Sequence, residues 1–203
     1  MNPYERYVLP KMIDLACGTG GVMKARSRVV PQAIGDVLEI GIGSGLNLPF
    51  YDPKKVSSIV GVDPAAQMQA LARQRAAAIS IPVEIVAVDV QGIQAETARF
   101  DTIVMTFTLC SINDPLSALQ EMRRLLKPGG RLLFCEHGLA PDPSVERWQH
   151  RLTPLWKPMT GGCHLNRDIP ALIKVSGFII GELSTGYLSG PRLMTYVYSG
   201  WAH

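Results

Sequence analysis

The 203-residue sequence has no apolar run approaching the ~18 to 20 residues that a membrane-spanning helix needs, and its N-terminus has no signal-peptide core. Its four cysteines lack short paired spacing, which argues against a disulfide framework. Repetitive or disorder-like segments are also missing, since 47% of the residues are apolar and 18% are charged. These absences predict one globular domain over residues 1–203, with reduced thiols, in the cytoplasm.

The net charge of +3 says little about partners. A modestly basic N-terminal region could touch anionic lipid or nucleic acid, or could be the solvated face of a helix; it contains Lys11, Lys24, Arg26 and Arg28. We expect these basic residues to form the solvated face of a helix, and we expect no nucleic-acid partner. Peripheral contact with a membrane stays an open alternative. The sequence makes no prediction of oligomeric state.

An apolar strand from Asp36 runs into three closely spaced glycines, Gly41, Gly43 and Gly45, and a second apolar run ends at Asp63. A strand, a glycine turn, a helix and a strand ending in a carboxylate form a nucleotide-binding βαβ unit. The spacing differs from the Gly-x-Gly-x-x-Gly of pyrophosphate binders. Glu39 also stands just before the turn, which suits a ligand with a cationic head.

An earlier copy of the glycine pattern lies at Asp14-Leu-Ala-Cys-Gly-Thr-Gly20. The distance from each copy to the next carboxylate is similar, so spacing does not decide which copy is the nucleotide-binding turn. The residues that precede the glycines do decide it. Residues 8–15 contain Pro10 and few β-branched residues, which makes a poor central strand. Apolar side chains instead fall at helical spacing, at Tyr4, Val8, Met12 and Leu15. We therefore predict an N-terminal helical region over 1–33, with Gly18 to Gly21 as a break between helices.

The remaining pattern alternates strands with helices, which predicts a parallel sheet covered on both faces. Strands are predicted near 37–41, 58–63, 83–88, 101–107, 131–136, 178–184 and 194–200, and helices at 65–79, 115–126 and within an insertion over 144–176. The link between the last two strands is too short for a helical crossover. Those two strands should therefore form a terminal antiparallel hairpin.

Five motifs in register resemble those of class I S-adenosylmethionine-dependent methyltransferases. They are Glu39-Ile-Gly-Ile-Gly-Ser-Gly45, Val62-Asp63-Pro64, Val86-Ala-Val-Asp89, Phe100 to Phe107 and Leu125 to Phe134. The resemblance implies a Rossmann-like class I fold with a seven-stranded, mostly parallel sheet. It also implies S-adenosyl-L-methionine as the methyl donor and S-adenosyl-L-homocysteine as the product.

The resemblance assigns the cofactor by parts. The glycine turn of Gly41, Gly43 and Gly45 would hold the methionine part, with Glu39 near its ammonium, and Asp63 would take the ribose. Pro64, Ala65 and Met68 would flank the adenine, and Asp89 with Val90 and Gln91 would hold its edge. Thr108 is a further candidate for cofactor binding. Asp89 has a second interpretation, as an ordinary turn residue.

The acceptor side departs from the amino-methylating relatives. Those relatives carry an Asn/Asp-Pro-Pro-Tyr motif where this chain has Thr108-Leu-Cys-Ser111, which argues against base or carboxamide acceptors. Cys110 is a candidate catalytic residue or a small buried apolar group. His137 is a candidate base for a thiol, hydroxyl or ammonium acceptor, or hydrogen-bonds the loop backbone; Glu136 is the second candidate base.

The insertion offers a possible lining for the acceptor pocket in Trp156, Cys163 and His164, although its aromatic residues are expected to pack on the sheet as core. A metal site would gather Cys110, His137, Cys163 and His164. Because no C-x-x-C spacing is present, the sequence predicts no metal.

The segments Thr108 to Ser111, Glu136-His137 and Gly162 to Asp168 are similar to the alkyl thiol methyltransferases and their bacterial relatives labelled phospholipid methyltransferases. The mammalian members have an N-terminal membrane anchor, which this sequence lacks. We expect methyl transfer by direct in-line displacement to a small-molecule thiol. Two alternatives are a phospholipid or quinone methyltransferase at the membrane surface and a non-catalytic S-adenosylmethionine-binding module.

Overall fold

A computed structural model describes residues 4–203, and within them seven strands form one sheet in the order β3-β2-β1-β4-β5-β7-β6. The strands are β1 Gly35–Ile40, β2 Val56–Val62, β3 Val83–Val86, β4 Phe100–Thr106, β5 Leu126–His137, β6 Ile180–Tyr187 and β7 Tyr196–Ala202. Strands β1 to β5 pair in parallel, and β7 runs antiparallel to both β5 and β6. The predicted mostly parallel sheet with a terminal antiparallel hairpin is confirmed.

Seven α-helices lie within the described range. They are α1 Leu9–Cys17, α2 Gly20–Val29, α3 Gln69–Ala76, α4 Pro115–Leu125, α5 Pro143–Trp156, α6 Ile169–Val175 and α7 Arg192–Thr195. None of the described helices is both long enough and apolar enough to cross a membrane.

The central strands are buried on both faces because their alternating side chains enter two separate apolar clusters. In β1, Leu38 packs in a cluster that also contains residues of α4 and α6, while Val37 packs in a cluster with residues of α2. In β4, Ile103 and Val104 divide between the same two clusters. Helices therefore cover both faces, and the carboxyl ends of the parallel strands are left as the edge for a site.

The N-terminal region is helical as expected, with the break at Gly18 and Thr19 between α1 and α2. The early glycine pattern is thus a helix break, and the strand and turn belong to the later copy at Gly41. Residues 1–3 of the predicted helical region lie outside the described residues. The expectation of a solvated basic face holds for Lys24 and Arg28, but it is wrong for Arg26, which is buried.

The last two strands begin and end about two residues later than the sequence predicts, and β5 begins earlier. The insertion also differs from expectation. Trp148, Leu155 and Met159 are exposed, whereas the buried side chains of α5 are the polar Gln149 and Thr153. Gln149 is buried because its amide bonds to the backbone of Ala140, Gly138 and Leu193.

Candidate active site

The glycine turn after β1 closes against the end of β4. Gly41 and Gly43 have φ angles of +67° and +53°, which L residues with side chains rarely adopt. A Cβ on Gly41 would lie 2.3 Å from the Oγ1 and Cγ2 atoms of Thr108. The turn therefore requires glycine at position 41 for space as well as for backbone conformation.

Asp63, at the end of β2, fixes the turn from the neighbouring strand. Its carboxylate accepts one hydrogen bond from the Gly43 N–H at 2.9 Å and another from the Ala65 N–H at 2.7 Å. Burial raises the pKa of Asp63 despite these two bonds. Because each oxygen has a second lone pair, the carboxylate can still accept hydrogen bonds from a ligand.

A cavity of about 600 Å³ opens at the carboxyl ends of the parallel strands, between the glycine turn and α1. Helix α1 covers it with Leu9, Pro10, Ile13, Asp14 and Cys17. The described charged lining consists of four carboxylates and one guanidinium, contributed by Asp14, Asp63, Asp89, Asp114 and Arg26. This balance suits a ligand that carries positive charge.

Glu39 lies beneath the turn rather than at the cavity surface. It is 1% exposed, and its carboxylate accepts hydrogen bonds from Asn47 Nδ2 at 3.0 Å and from Tyr51 Oη at 2.8 Å. Burial raises the pKa of Glu39 to about 7. Its role toward the ammonium of a cofactor stays a prediction, and the described contacts give it a part in holding the turn.

Arg26 is a site residue that the sequence interpretation missed. It lines the cavity while Nη1 donates to Asn47 Oδ1 at 2.8 Å and to Thr106 Oγ1 at 2.5 Å. Its Nε is buried without a hydrogen-bond partner among the described residues. The sequence carries one indication that Arg26 is buried, which is its position around the helix. Arg26 lies beside Ala25 and one turn before Val29, both of which are buried.

Cys110, His137 and Cys163 come together although they are far apart in the chain. The two Sγ atoms are 3.6 Å apart, and Cys163 Sγ lies 3.9 Å from His137 Nδ1. The hydrogen bond between the thiols raises the pKa of Cys110 and lowers that of Cys163. We call these three residues the Cys-His cluster.

Backbone contacts hold the loops that carry the Cys-His cluster. The His164 N–H donates to the Cys110 carbonyl at 2.8 Å, and Arg167 donates to the carbonyls of Leu109 and Ile112. Glu136 accepts from the Thr108 N–H at 2.8 Å, and burial raises the pKa of Glu136 to about 7. Its carboxylate is fully buried and bonded to this turn, so the described contacts give Glu136 a structural part.

Residues 38–134 match a family model described as a methyltransferase domain. Thiol S-methyltransferase TMT1B of Rattus norvegicus is 38% identical over 136 residues, which cover 65% of this chain and 55% of that protein. The matched segment, residues 38–134, is an S-adenosylmethionine-dependent methyltransferase domain.

Further relatives differ in the acceptor that their names give. The phosphatidylethanolamine N-methyltransferase of Cereibacter sphaeroides is 31% identical over 105 residues, covering 51% of each protein. The N-methyltransferase NodS of Bradyrhizobium japonicum, solved with S-adenosyl-L-homocysteine, has a TM-score of 0.69 at 18% identity and covers 98% of this chain and 93% of its own. That likeness shows the fold alone. The chain spans about half the length of the curated thiol methyltransferases it matches.

In this methyltransferase, most of the residues predicted for S-adenosylmethionine line the cavity described above. They are Gly41, Gly43, Asp63, Pro64, Met68, Asp89, Val90 and Thr108. Gly45 does not line it, since it packs against Leu48 and α3. Asp89 lines the cavity and also accepts a hydrogen bond from the Gly92 N–H at 2.9 Å, so both of its interpretations stand.

We name the cavity between the glycine turn and α1 the donor cavity, after the S-adenosylmethionine that is predicted to bind there. A second, more open cavity of about 880 Å³ adjoins the donor cavity and shares Leu9, Gln67 and Gly161 with it. Among the described side chains, its charged or titratable lining is Lys157 and His164, with no carboxylate. Of the residues predicted for the acceptor pocket, His164 lines this cavity. Cys163 lies between the lining residues Gly162 and His164, and Trp156 is next to Lys157.

Proposed function

We propose that this methyltransferase transfers the methyl group of S-adenosylmethionine to a small thiol, which enters through the second cavity. The observation that carries the proposal is the contrast in charge between the two cavities. The donor cavity has four carboxylates against one guanidinium, whereas the second has Lys157 and His164 and no described carboxylate.

This contrast in charge favours a cationic methyl donor in one cavity and a methyl acceptor without positive charge in the other. The donor carries a sulfonium and an ammonium, and both are stabilised by nearby carboxylates. An ammonium acceptor would need the same compensation, and the described lining of the second cavity offers none. A neutral thiol, or the thiolate formed from it, is compatible with a lysine and a histidine nearby.

The relatives support the same acceptor. Three thiol S-methyltransferases of rat, human and mouse are 35–38% identical to this chain over 136 residues. A match over part of each protein leaves the acceptor of this chain a proposal. The charge of the second cavity supports it independently of those names.

The reaction would be a direct in-line displacement. The acceptor sulfur attacks the methyl carbon, the bond from that carbon to the sulfonium sulfur breaks, and the electron pair stays on S-adenosylhomocysteine. A sulfonium methyl is already electrophilic, so the protein contributes mainly alignment and exclusion of water. Helix α1 supplies the exclusion through Leu9, Pro10 and Ile13, which cover the donor cavity.

The test is the rate of S-adenosylhomocysteine formation with a panel of acceptors: an alkyl thiol, an aryl thiol, a primary amine, a phenol and phosphatidylethanolamine vesicles. We expect turnover with the thiols and at most background turnover with the amine and the phenol. Turnover with the amine or the lipid but not with either thiol would overturn the proposal. Cofactor binding without turnover of any acceptor would favour a non-catalytic module.

A second candidate is methylation of an amphiphile at a membrane surface, and an exposed apolar patch favours it. Met12 and Leu15 of α1 are 49% and 77% exposed, Leu155 of α5 is 70% exposed, and Met159, just beyond the end of α5, is 59% exposed. Tyr4 Oη connects the two groups, since it lies 3.8 Å from Met12 Sδ and donates to the Met159 carbonyl at 2.7 Å. Co-sedimentation with anionic vesicles, compared between wild type and Leu15→Ser, tests it; equal binding would count against the patch.

A further inference from the structure

We propose that the Cys-His cluster is a zinc site with three protein ligands, Cys110 Sγ, His137 Nδ1 and Cys163 Sγ. The three ligand atoms lie within 4.8 Å of one another. Among the side chains that the structure describes, this is the single group of cysteine, histidine and carboxylate residues with such spacing. The absence of a C-x-x-C motif had argued against a metal, but the three ligands come from two loops and the end of β5, which no local spacing reveals.

Two of the three distances between the ligand atoms match the edges of a zinc tetrahedron. Zinc binds sulfur at about 2.3 Å and nitrogen at about 2.0–2.1 Å, so two sulfurs on one zinc lie about 3.8 Å apart and a sulfur and a nitrogen about 3.6 Å apart. The Sγ atoms of Cys110 and Cys163 are 3.6 Å apart, and Cys163 Sγ is 3.9 Å from His137 Nδ1. These two edges need shifts of a few tenths of an ångström, and the third, between Cys110 Sγ and His137, is at most 4.8 Å and would shorten when zinc binds.

The loops are held in place independently of any metal. Cys110 and Cys163 approach each other because the His164 N–H donates to the Cys110 carbonyl at 2.8 Å. The Cys110 turn is bonded to the strand end that carries His137, since Glu136 accepts from Thr108 N–H at 2.8 Å. A site of this kind is preorganised for a metal.

Charge and ligand type also agree with zinc. Cys110 is 3% exposed and His137 is 6% exposed, so an uncompensated charge here would be costly. Two thiolates and a neutral imidazole balance one Zn²⁺, which leaves the buried site uncharged. Two cysteines and one histidine are the ligands of a known kind of catalytic zinc site, in which the fourth position is open.

The open position gives the site a function that rests on the proposed thiol acceptor. The chain neighbours of the cluster reach both cavities, since Ser111 lines the donor cavity and Gly162 and His164 line the second. A thiol that binds zinc loses its proton to solvent and becomes a thiolate. Its sulfur lone pair then attacks the methyl group, and the products are a thioether and S-adenosylhomocysteine, with one proton released.

The experiment is metal analysis of the purified protein by mass spectrometry, after incubation with zinc and desalting. We expect about one zinc per chain in the wild type, and far less in Cys110→Ser, Cys163→Ser and His137→Gln. Cys135→Ser is the matched control. Cys135 is also a buried free cysteine, but it packs in the apolar cluster with residues of α2 and is not part of the Cys-His cluster. Substitution with Co²⁺ should give thiolate-to-metal absorption in the wild type and in Cys135→Ser only.

Circular dichroism and S-adenosylmethionine binding check that each variant is folded, and His137→Gln leaves both cysteines in place if a serine variant does not fold. A wild-type protein that retains no zinc, or a Cys110–Cys163 disulfide found in its place, would overturn the site. Zinc bound without methylation of any thiol would leave the site standing and remove the proposed function. Full thiol turnover by the zinc-free protein would keep the function and remove the role of the metal.

Discussion

The carboxylate of Asp14 on α1 lies 2.9 Å from the Arg75 guanidinium near the end of α3. The same carboxylate accepts a hydrogen bond from Ser44 Oγ at 2.5 Å, and Arg75 also donates to the Ser44 carbonyl at 2.6 Å. Burial raises the pKa of Asp14, but the bonds from Arg75 and Ser44 lower it overall. The helix that covers the donor cavity is thereby tied to the glycine turn beneath it.

Arg75→Met should weaken binding of S-adenosylmethionine by about 2- to 13-fold, because a partly exposed ion pair contributes about 0.5–1.5 kcal/mol. Helix α1, which covers the donor cavity, would be held less firmly, while the residues of the glycine turn would be unchanged. Isothermal titration measures the change. Arg73→Met is the matched control, since Arg73 lies on the same helix and bonds to Gln69 instead. Equal losses in both variants would assign the effect to α3 rather than to the link with Asp14.

Asp63→Ala should weaken binding of S-adenosylmethionine by about 2–4 kcal/mol, which is roughly 30- to 1000-fold. The change removes the ribose hydrogen bonds that the carboxylate is predicted to make, and it leaves the Gly43 and Ala65 N–H groups without their acceptor. The affinity is again measured by titration. Asp52→Ala, at a carboxylate away from the cavity, should bind as the wild type does; unchanged affinity in Asp63→Ala would overturn the cofactor placement.

Gly41→Ala should lower the melting temperature and reduce cofactor affinity more than tenfold, because its Cβ would meet Thr108 at 2.3 Å in a positive-φ turn. Gly129→Ala separates the two causes. Gly129 has a φ of +78°, but a Cβ added there would meet no atom within 4 Å. That control should lose about 1–2 kcal/mol of stability and keep its affinity. Equal affinity losses would mean that the contact with Thr108 is unimportant.

Most of the lining of the cavity beside the glycine turn was predictable because its signals in the sequence are local. The glycine turn and Asp63 each follow an apolar strand, and the parallel order of those strands brings their ends to one edge of the sheet. The antiparallel last strand was predictable for a similar reason, since the link between Tyr187 and Tyr196 is too short for a crossover.

The other features of the site depend on contacts between segments that are distant in the sequence, so the sequence did not predict them. Arg26 is polar in a helix whose exposed neighbours are also basic, so only the packed sheet reveals that it faces the cavity. The approach of Cys110, His137 and Cys163 requires two loops and the end of β5 to meet, and the spacing of the three residues along the chain does not indicate it. Asp14 belongs to a glycine pattern that is no cofactor motif, yet it contacts the turn of the genuine one.

The last prediction concerns the pH dependence of stability and follows from Glu39. Its pKa is about 7 in the folded protein, above the ordinary value of 4.5. Between these values the folded state binds more protons than the unfolded state, so the free energy of unfolding falls as pH rises. The contribution is fully present below pH 4.5 and is lost as the pH passes 7, by up to about 3 kcal/mol.

Glu39→Gln should therefore be more stable than the wild type at pH 8 and show little advantage at pH 4.5. The amide can accept from Asn47 Nδ2 and donate to Tyr51 Oη, so both buried hydrogen bonds survive the change. Urea unfolding of the cofactor-free protein at the two pH values measures the difference. Glu84→Gln, at an exposed carboxylate, should shift stability little at either pH. A Glu39→Gln difference that is the same at both pH values would mean that Glu39 does not bind its proton more tightly in the folded state.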